Sequence, residues 1–207
     1  PYSNKTKKIT TMQITIENLR KNYQRYSDDE IVRIATKEAH LLSPEAVEVL
    51  QEEIAKRQLS PDLLKGIAVQ LKNVSEQELW DYCELLRSLP CPVCNANTNQ
   101  LNATITATVT SFVITYYKKE LLIACPTCLD KANKTALIKT LLLGWWGFPW
   151  GIIRTIQAVM LNSNMSRIAQ HSQPNMLLKE FVLQQIGTIE SNKDKPERLQ
   201  SLIKHLA

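Results

Sequence analysis

The stretch that decides the fold runs from residue 91 to 128: CPVCNANTNQLNATITATVTSFVITYYKKELLIACPTC. Its cysteines, Cys91, Cys94, Cys125 and Cys128, form two C-P-x-C pairs separated by thirty residues. A two-residue gap lets the backbone fold into a knuckle that aims both thiolates at one ion, and the proline after the first cysteine of each pair restricts that turn. Four thiolates complete a tetrahedral shell for Zn2+, with sulfur about 2.3 Å from the metal. Between the knuckles the chain alternates. Ile105, Ala107 and Val109 oppose Thr104, Thr106, Thr108 and Thr110, which is the period and composition of a strand. A turn near Lys118-Lys119-Glu120 would make the stretch a hairpin, with Leu121–Ala124 as its second strand, and would bring the knuckles together. Helical pattern resumes at Leu129, so the second knuckle opens a helix whose N-terminus favours thiolates. The expectation is a zinc ribbon or treble-clef-like hairpin with one structural zinc per chain. Two redox pairs are the other use of such motifs, and matched knuckles flanking strands argue against it. Cys83, the fifth cysteine, reads as a small buried hydrophobe.

Upstream, residues 12–89 read as helices. Ser27-Asp28-Asp29-Glu30 is a capping box, and Ile31, Ile34 and Ala35 begin an apolar stripe behind it. Ser43-Pro44-Glu45 starts a second helix, with Val47, Leu50 and Ile54 on one face. Glu52–Lys56 and Glu53–Arg57 are spaced as ion pairs on the opposite face. Ser60-Pro61-Asp62 and Ser75-x-x-Glu78 give two further starts. Short turns between capped helices indicate a helical bundle. Trp80 and Tyr82 read as core, and His40 as a helix end.

Downstream, residues 140–153 read TLLLGWWGFPWGII, uncharged and bracketed by Lys139 and Arg154. Fourteen residues are too few to cross a bilayer, which needs about 20. Gly144, Gly147, Pro149 and Gly151 interrupt a regular helix. The pattern predicts a helix over 129–143, a tight break, and a helix over 151–162. Trp145, Trp146, Phe148 and Trp150 then sit at the break, with Lys139 and Arg154 able to reach lipid headgroups. Such a hairpin either dips into a membrane leaflet or meets a partner protein, or else packs inside the chain. Beyond a polar stretch reaching Pro174 come two amphipathic helices, one over 176–190 and one carrying Leu199, Leu202, Ile203 and Leu206.

The block GWWGFPWGIIRTIQAV, placed shortly after the second C-P-x-C knuckle, resembles a signature of small uncharacterised bacterial zinc-ribbon proteins. The resemblance covers about residues 90–160 and rests on Cys91, Cys94, Cys125, Cys128 and Gly144 to Gly151. It implies membrane association and no particular activity.

The expected fold is therefore α+β and mostly α. A helical domain over 1–89 precedes a zinc ribbon over 90–130, an apolar helical hairpin over 131–163 and C-terminal helices over 164–207. The 207 residues are 44% hydrophobic and 22% charged, which excludes a largely disordered chain and a polytopic membrane protein. Residues 1–90 carry a net charge of −1 and residues 91–207 one of +6, a balance that suits an anionic surface. The N-terminus shows no apolar signal region, and paired cysteines fit a reducing compartment. The chain is thus expected in the cytoplasm, peripheral at the inner face of the membrane if the hairpin meets lipid. A closed four-cysteine shell leaves no position for catalytic water, no Walker A, G-x-S-x-G or H-E-x-x-H motif occurs, and His40, His171 and His205 are scattered. The reading is a non-enzymatic zinc-ribbon protein that binds a partner protein or a membrane surface through its Trp-rich hairpin, with an oligomer left open. The alternative is a nucleic-acid-binding ribbon using Lys118, Lys119 and Tyr116 or Tyr117 at the hairpin tip.

Overall fold

Ser27 begins the ordered logic of the first unit. Its hydroxyl accepts from the Glu30 N–H, and the Glu30 carboxylate accepts from the Ser27 N–H at 2.7 Å, closing the capping box. The computed structural model describes residues 16–98, 100–111, 114–168 and 172–205. The expected helical start at 12–15, His171 and Leu206 lie outside the described residues. The protein is mostly helical, with one two-stranded antiparallel sheet among the described residues. It divides into two compact units, Pro1–Ser75 with Gln184–Lys193, and Glu76–Leu183 with Asp194–Ala207.

In the first unit, a helix over 16–25 (α1) leads into α2, Asp28–Arg33. A π turn, Ile34–Glu38, and a 3-10 turn, Ala39–Leu41, then deflect the chain. Gln70 donates from Nε2 to the Ala35 carbonyl at 2.7 Å, serving a group in that turn. Helices α3, Pro44–Lys56, and α4, Asp62–Leu71, start where their Ser-Pro signals stand, with the Ser43 hydroxyl accepting from the Ala46 N–H at 3.3 Å. Ile31, Leu50, Ile54 and Ile67 are fully buried in the core. The Glu53–Arg57 pair does not lie on a solvent face. Glu53 is buried, and Arg57 bonds Glu53 at 2.7 Å, Asp28 at 2.9 Å and the carbonyls of Tyr23 and Tyr26. The guanidinium thereby satisfies the C-terminal carbonyls of α1. Glu52 turns instead to Arg20 at 2.9 Å.

The second unit opens with α5, Glu76–Arg87, which buries Tyr82 and Cys83 and leaves Trp80 half-buried beneath the Lys179 ammonium. Buried Arg87 donates to the Leu101 carbonyl at 3.1 Å and the Ser172 carbonyl at 2.5 Å, tying α5 to the entry of the sheet. Strand β1, Asn102–Ser111, pairs with β2, Thr115–Ala124, in a register running from Asn102↔Ala124 to Ser111↔Thr115. The strands turn between Ser111 and Thr115 and not near Lys118-Lys119-Glu120. Those three residues lie inside β2, because alternation continues through Tyr116 and Tyr117 with no glycine or proline to stop it.

Helices α6, Pro126–Leu143, and α7, Trp150–Ile168, pack on β1 and on each other. Helix α7 runs six residues beyond the expected end at 162. Asn162 is an inward residue that bonds the sheet, so its polarity is no terminator. The remaining elements are α8, Met176–Ser191, which is shared by the two units, and α9, Pro196–Lys204, with Leu199 and Ile203 buried.

Candidate metal centre and apolar tip

The first knuckle is built by its backbone. The Cys91 N–H donates to the Ala96 carbonyl at 3.0 Å, and the Asn95 N–H to the Cys91 carbonyl at 2.8 Å. Asn95 adopts φ 57°, a left-handed conformation that asparagine tolerates better than most residues. The second knuckle is the start of α6. Cys125 is its N-cap, Pro126 occupies the first turn, and the Leu129 N–H returns to the Cys125 carbonyl at 3.0 Å. Since β1 and β2 join the knuckles, hairpin register fixes the distance between them.

The result is one cluster. The sulfurs of Cys91, Cys94, Cys125 and Cys128 all lie within 4.8 Å of one another. Cys94 and Cys125 stand 3.7 Å apart, close to the edge of about 3.8 Å in a tetrahedron with 2.3 Å metal–sulfur bonds. Cys91 and Cys125 are buried, Cys128 is half-buried and Cys94 is exposed. Burial alone would raise the Cys91 thiol. The N–H groups of Cys125, Cys94 and Val93 converge on its sulfur, outweigh burial and bring it down to about 7. Burial, hydrogen bonds that its S–H donates to Cys125 and Cys94, and the charge of neighbouring thiolates hold Cys128 well above the ordinary thiol range. Four thiolates so close cannot all ionise on their own, whereas a divalent cation deprotonates them together. The donor set therefore fits a soft divalent metal, with no oxygen or nitrogen ligand required.

Beside the cluster, a groove of about 600 Å³ runs between the sheet and α6 from Cys94 and Cys128 towards Lys139. Thr106, Thr108 and Thr135 supply hydroxyls, and Glu120 is the one carboxylate among the described residues that line it. Among the described residues, no histidine or second carboxylate lines it. No catalytic triad or active-site motif is evident among the described residues.

The far end of the α6–α7 pair is the second feature. Gly147 and Gly151 turn towards the sheet, and Gly144 turns towards Thr155 of α7. A Cβ on Gly147 would lie 2.6 Å from Thr115 Oγ1, and one on Gly151 would lie 2.7 Å from the Gly144 carbonyl and 2.9 Å from Ser111 Oγ. Backbone therefore packs on the small residues at the turn end of the hairpin. The aromatic residues between the glycines point the other way. Trp145, Trp146, Phe148 and Trp150 are 45%, 70%, 86% and 65% exposed. Lys139 and Arg154 flank them, and Arg154 lies 5.3 Å over the Tyr117 ring. Ile114, Tyr116, Leu142 and Ile153 extend the exposed apolar surface. The Phe148–Pro149 peptide is cis. Among the described residues, no helix is long and apolar enough to cross a membrane.

Lys118 pairs with Glu120 at 2.7 Å and Lys119 lies over the Tyr117 ring at 5.6 Å, both within β2. The sequence reading missed the residues that hold β1. Asn162 brackets Ala107, with Oδ1 accepting from its N–H and Nδ2 donating to its carbonyl, each at 2.8 Å. Thr140 accepts from the Val109 N–H at 3.1 Å, and Asn175 donates to the Ala103 carbonyl at 2.6 Å. The signal was a polar residue repeating every seven positions along one face of each helix: Asn133 and Thr140 in α6, Thr155 and Asn162 in α7.

The fold and site define a mostly helical protein in which a treble-clef-like hairpin carries a four-cysteine cluster placed to chelate a metal ion. Comparison with protein-family profiles, with curated proteins and with solved structures returns no match.

Proposed function

We propose that this is a non-enzymatic docking protein. A structural Zn2+ held by Cys91, Cys94, Cys125 and Cys128 fixes the hairpin, and the α6–α7 tip meets an apolar surface outside the chain. The metal would crosslink two knuckles and supply no reactive position, because four sulfurs fill the shell. One observation carries the docking role: the glycines of G-W-W-G-F-P-W-G face inward and its aromatic residues face out. A monomer gains nothing from leaving three tryptophans in water; removing them from it is worth about 25 cal/mol per Å² on an apolar contact.

Photo-crosslinking in cells tests this reading. A benzophenone side chain replaces Phe148 in the full chain, with a control at exposed Lys56. Capture of lipid or of another chain from position 148, and not from 56, is expected. An absence of capture at 148 contradicts the role.

A further inference from the structure

Helices α6 and α7 are turned inside out relative to an ordinary amphipathic pair. The buried positions of α6 are Leu129, Asn133, Ala136 and Thr140, and those of α7 are Gly151, Thr155, Ala158 and Asn162. Apart from Leu129, the inward residues are small or polar, while Leu142, Ile153, Ile156 and Met160 are exposed. In water, burial selects large apolar residues for the inner face. Inner faces built from Gly, Ala, Ser, Thr and Asn are what helices use where the surroundings are themselves apolar.

The charge pattern says what those surroundings are. Between Asp130 and Glu180 the sequence contains no acidic residue, yet it contains Lys131, Lys134, Lys139, Arg154, Arg167 and Lys179. Of these, Lys139 and Arg154 flank the tip, and a second copy docked tip to tip would bring two such pairs together with no carboxylate from this segment to neutralise them. An anionic bilayer meets the apolar tip and the cationic pair at once, and indole rings favour its interface.

Depth follows from geometry. Lys139 and Arg154 each stand four residues from the helix end at the tip, about 6 Å along the axis. The charge-free tip matches the roughly 5–10 Å burial of interfacial segments and falls far short of a hydrocarbon core of about 30 Å.

Resting on the docking reading, we propose that the tip's partner is the headgroup–acyl boundary of an anionic membrane. Trp145, Trp146, Phe148 and Trp150 enter one leaflet, and Lys139 and Arg154 engage phosphate groups at its surface.

The test uses the zinc-loaded full chain and vesicles of phosphatidylcholine alone or mixed with phosphatidylglycerol. Binding to the mixed vesicles is expected, at least roughly 10-fold tighter than to the neutral ones. Lys139→Gln with Arg154→Gln, with unchanged circular dichroism, should lose on the order of 10-fold on mixed vesicles and little on neutral ones. Tryptophan emission should be quenched more by lipids brominated near the headgroup than by lipids brominated at the chain end. Equal affinity for both vesicle types, stronger quenching from the chain end, or no vesicle binding each overturns the proposal. If vesicle binding fails while position 148 still captures another chain in cells, the docking reading survives with a protein as occupant. If both fail, both readings fall.

Discussion

Cys91 has three backbone N–H groups converging on its sulfur, and Cys94 is the exposed corner of the same cluster. Removing that corner tests the metal without adding bulk. Cys94→Ser should abolish stoichiometric zinc by elemental analysis and melt the hairpin, because binding a structural zinc supplies about 10 kcal/mol or more of folding free energy. Retention of one zinc per chain by this variant would contradict the assignment. Cys83 belongs to a different environment. Burial pushes its thiol up to about 11, only partly offset by Lys179. The folded thiol keeps its proton where the unfolded one has lost it, so its stability contribution is intact below about pH 8.5. It declines as pH rises towards the folded value. Alkaline denaturation should therefore shift upward in Cys83→Ala, measured relative to each protein's stability at neutral pH. Thiol labelling should likewise modify Cys83 only on unfolding, while a chelator exposes the other four cysteines. The four ligands were legible because C-x2-C spacing is itself the geometric requirement. Asn95 was not, since a left-handed φ leaves no mark beyond an asparagine in a polar run.

Strand β1 shows how an element can be completed by side chains. With β2 on one edge only, its other edge is served by Asn162, Thr140 and Asn175. Asn162→Leu would strand the N–H and carbonyl of Ala107 in a buried site, at about 1–3 kcal/mol for each unsatisfied group. A drop of roughly 2 kcal/mol or more in chemical denaturation of the zinc-loaded chain is expected, and an unchanged midpoint would show that water replaces the amide. Gly151→Val should destabilise by about 1–3 kcal/mol through overpacking against Ser111 and the Gly144 carbonyl. Helix starts could be read from sequence because a cap is local chemistry: Ser27, Ser43 and Ser60 act within three residues of themselves. The hairpin turn could not. Lys118-Lys119-Glu120 looks like a polar tip, but it is a strand whose side chains find Glu120 and Tyr117. The end of α7 was misplaced for the same reason, since Asn162 is polar towards a partner 55 residues away in sequence.

At the scale of the whole molecule, the sheet and its four-cysteine cluster have a mechanical meaning. Knuckles at one end of the hairpin and glycine packing at the other hold α6 and α7 against β1, and the α6–α7 tip carries the exposed tryptophans. Composition alone left open whether that segment is core or surface, because both bury tryptophan; the direction of the glycines separates them. The central claim is that these rings are free in the isolated chain and covered only by something outside it. Replacing Trp80 with Phe leaves Trp145, Trp146 and Trp150 as the sole indole emitters. Acrylamide quenching of this zinc-loaded variant should show red-shifted, freely quenched emission in buffer, and blue-shifted, protected emission once vesicles containing phosphatidylglycerol are added. Emission already protected in the isolated monomer and unchanged by vesicles would place the rings in the protein's own core and contradict the account.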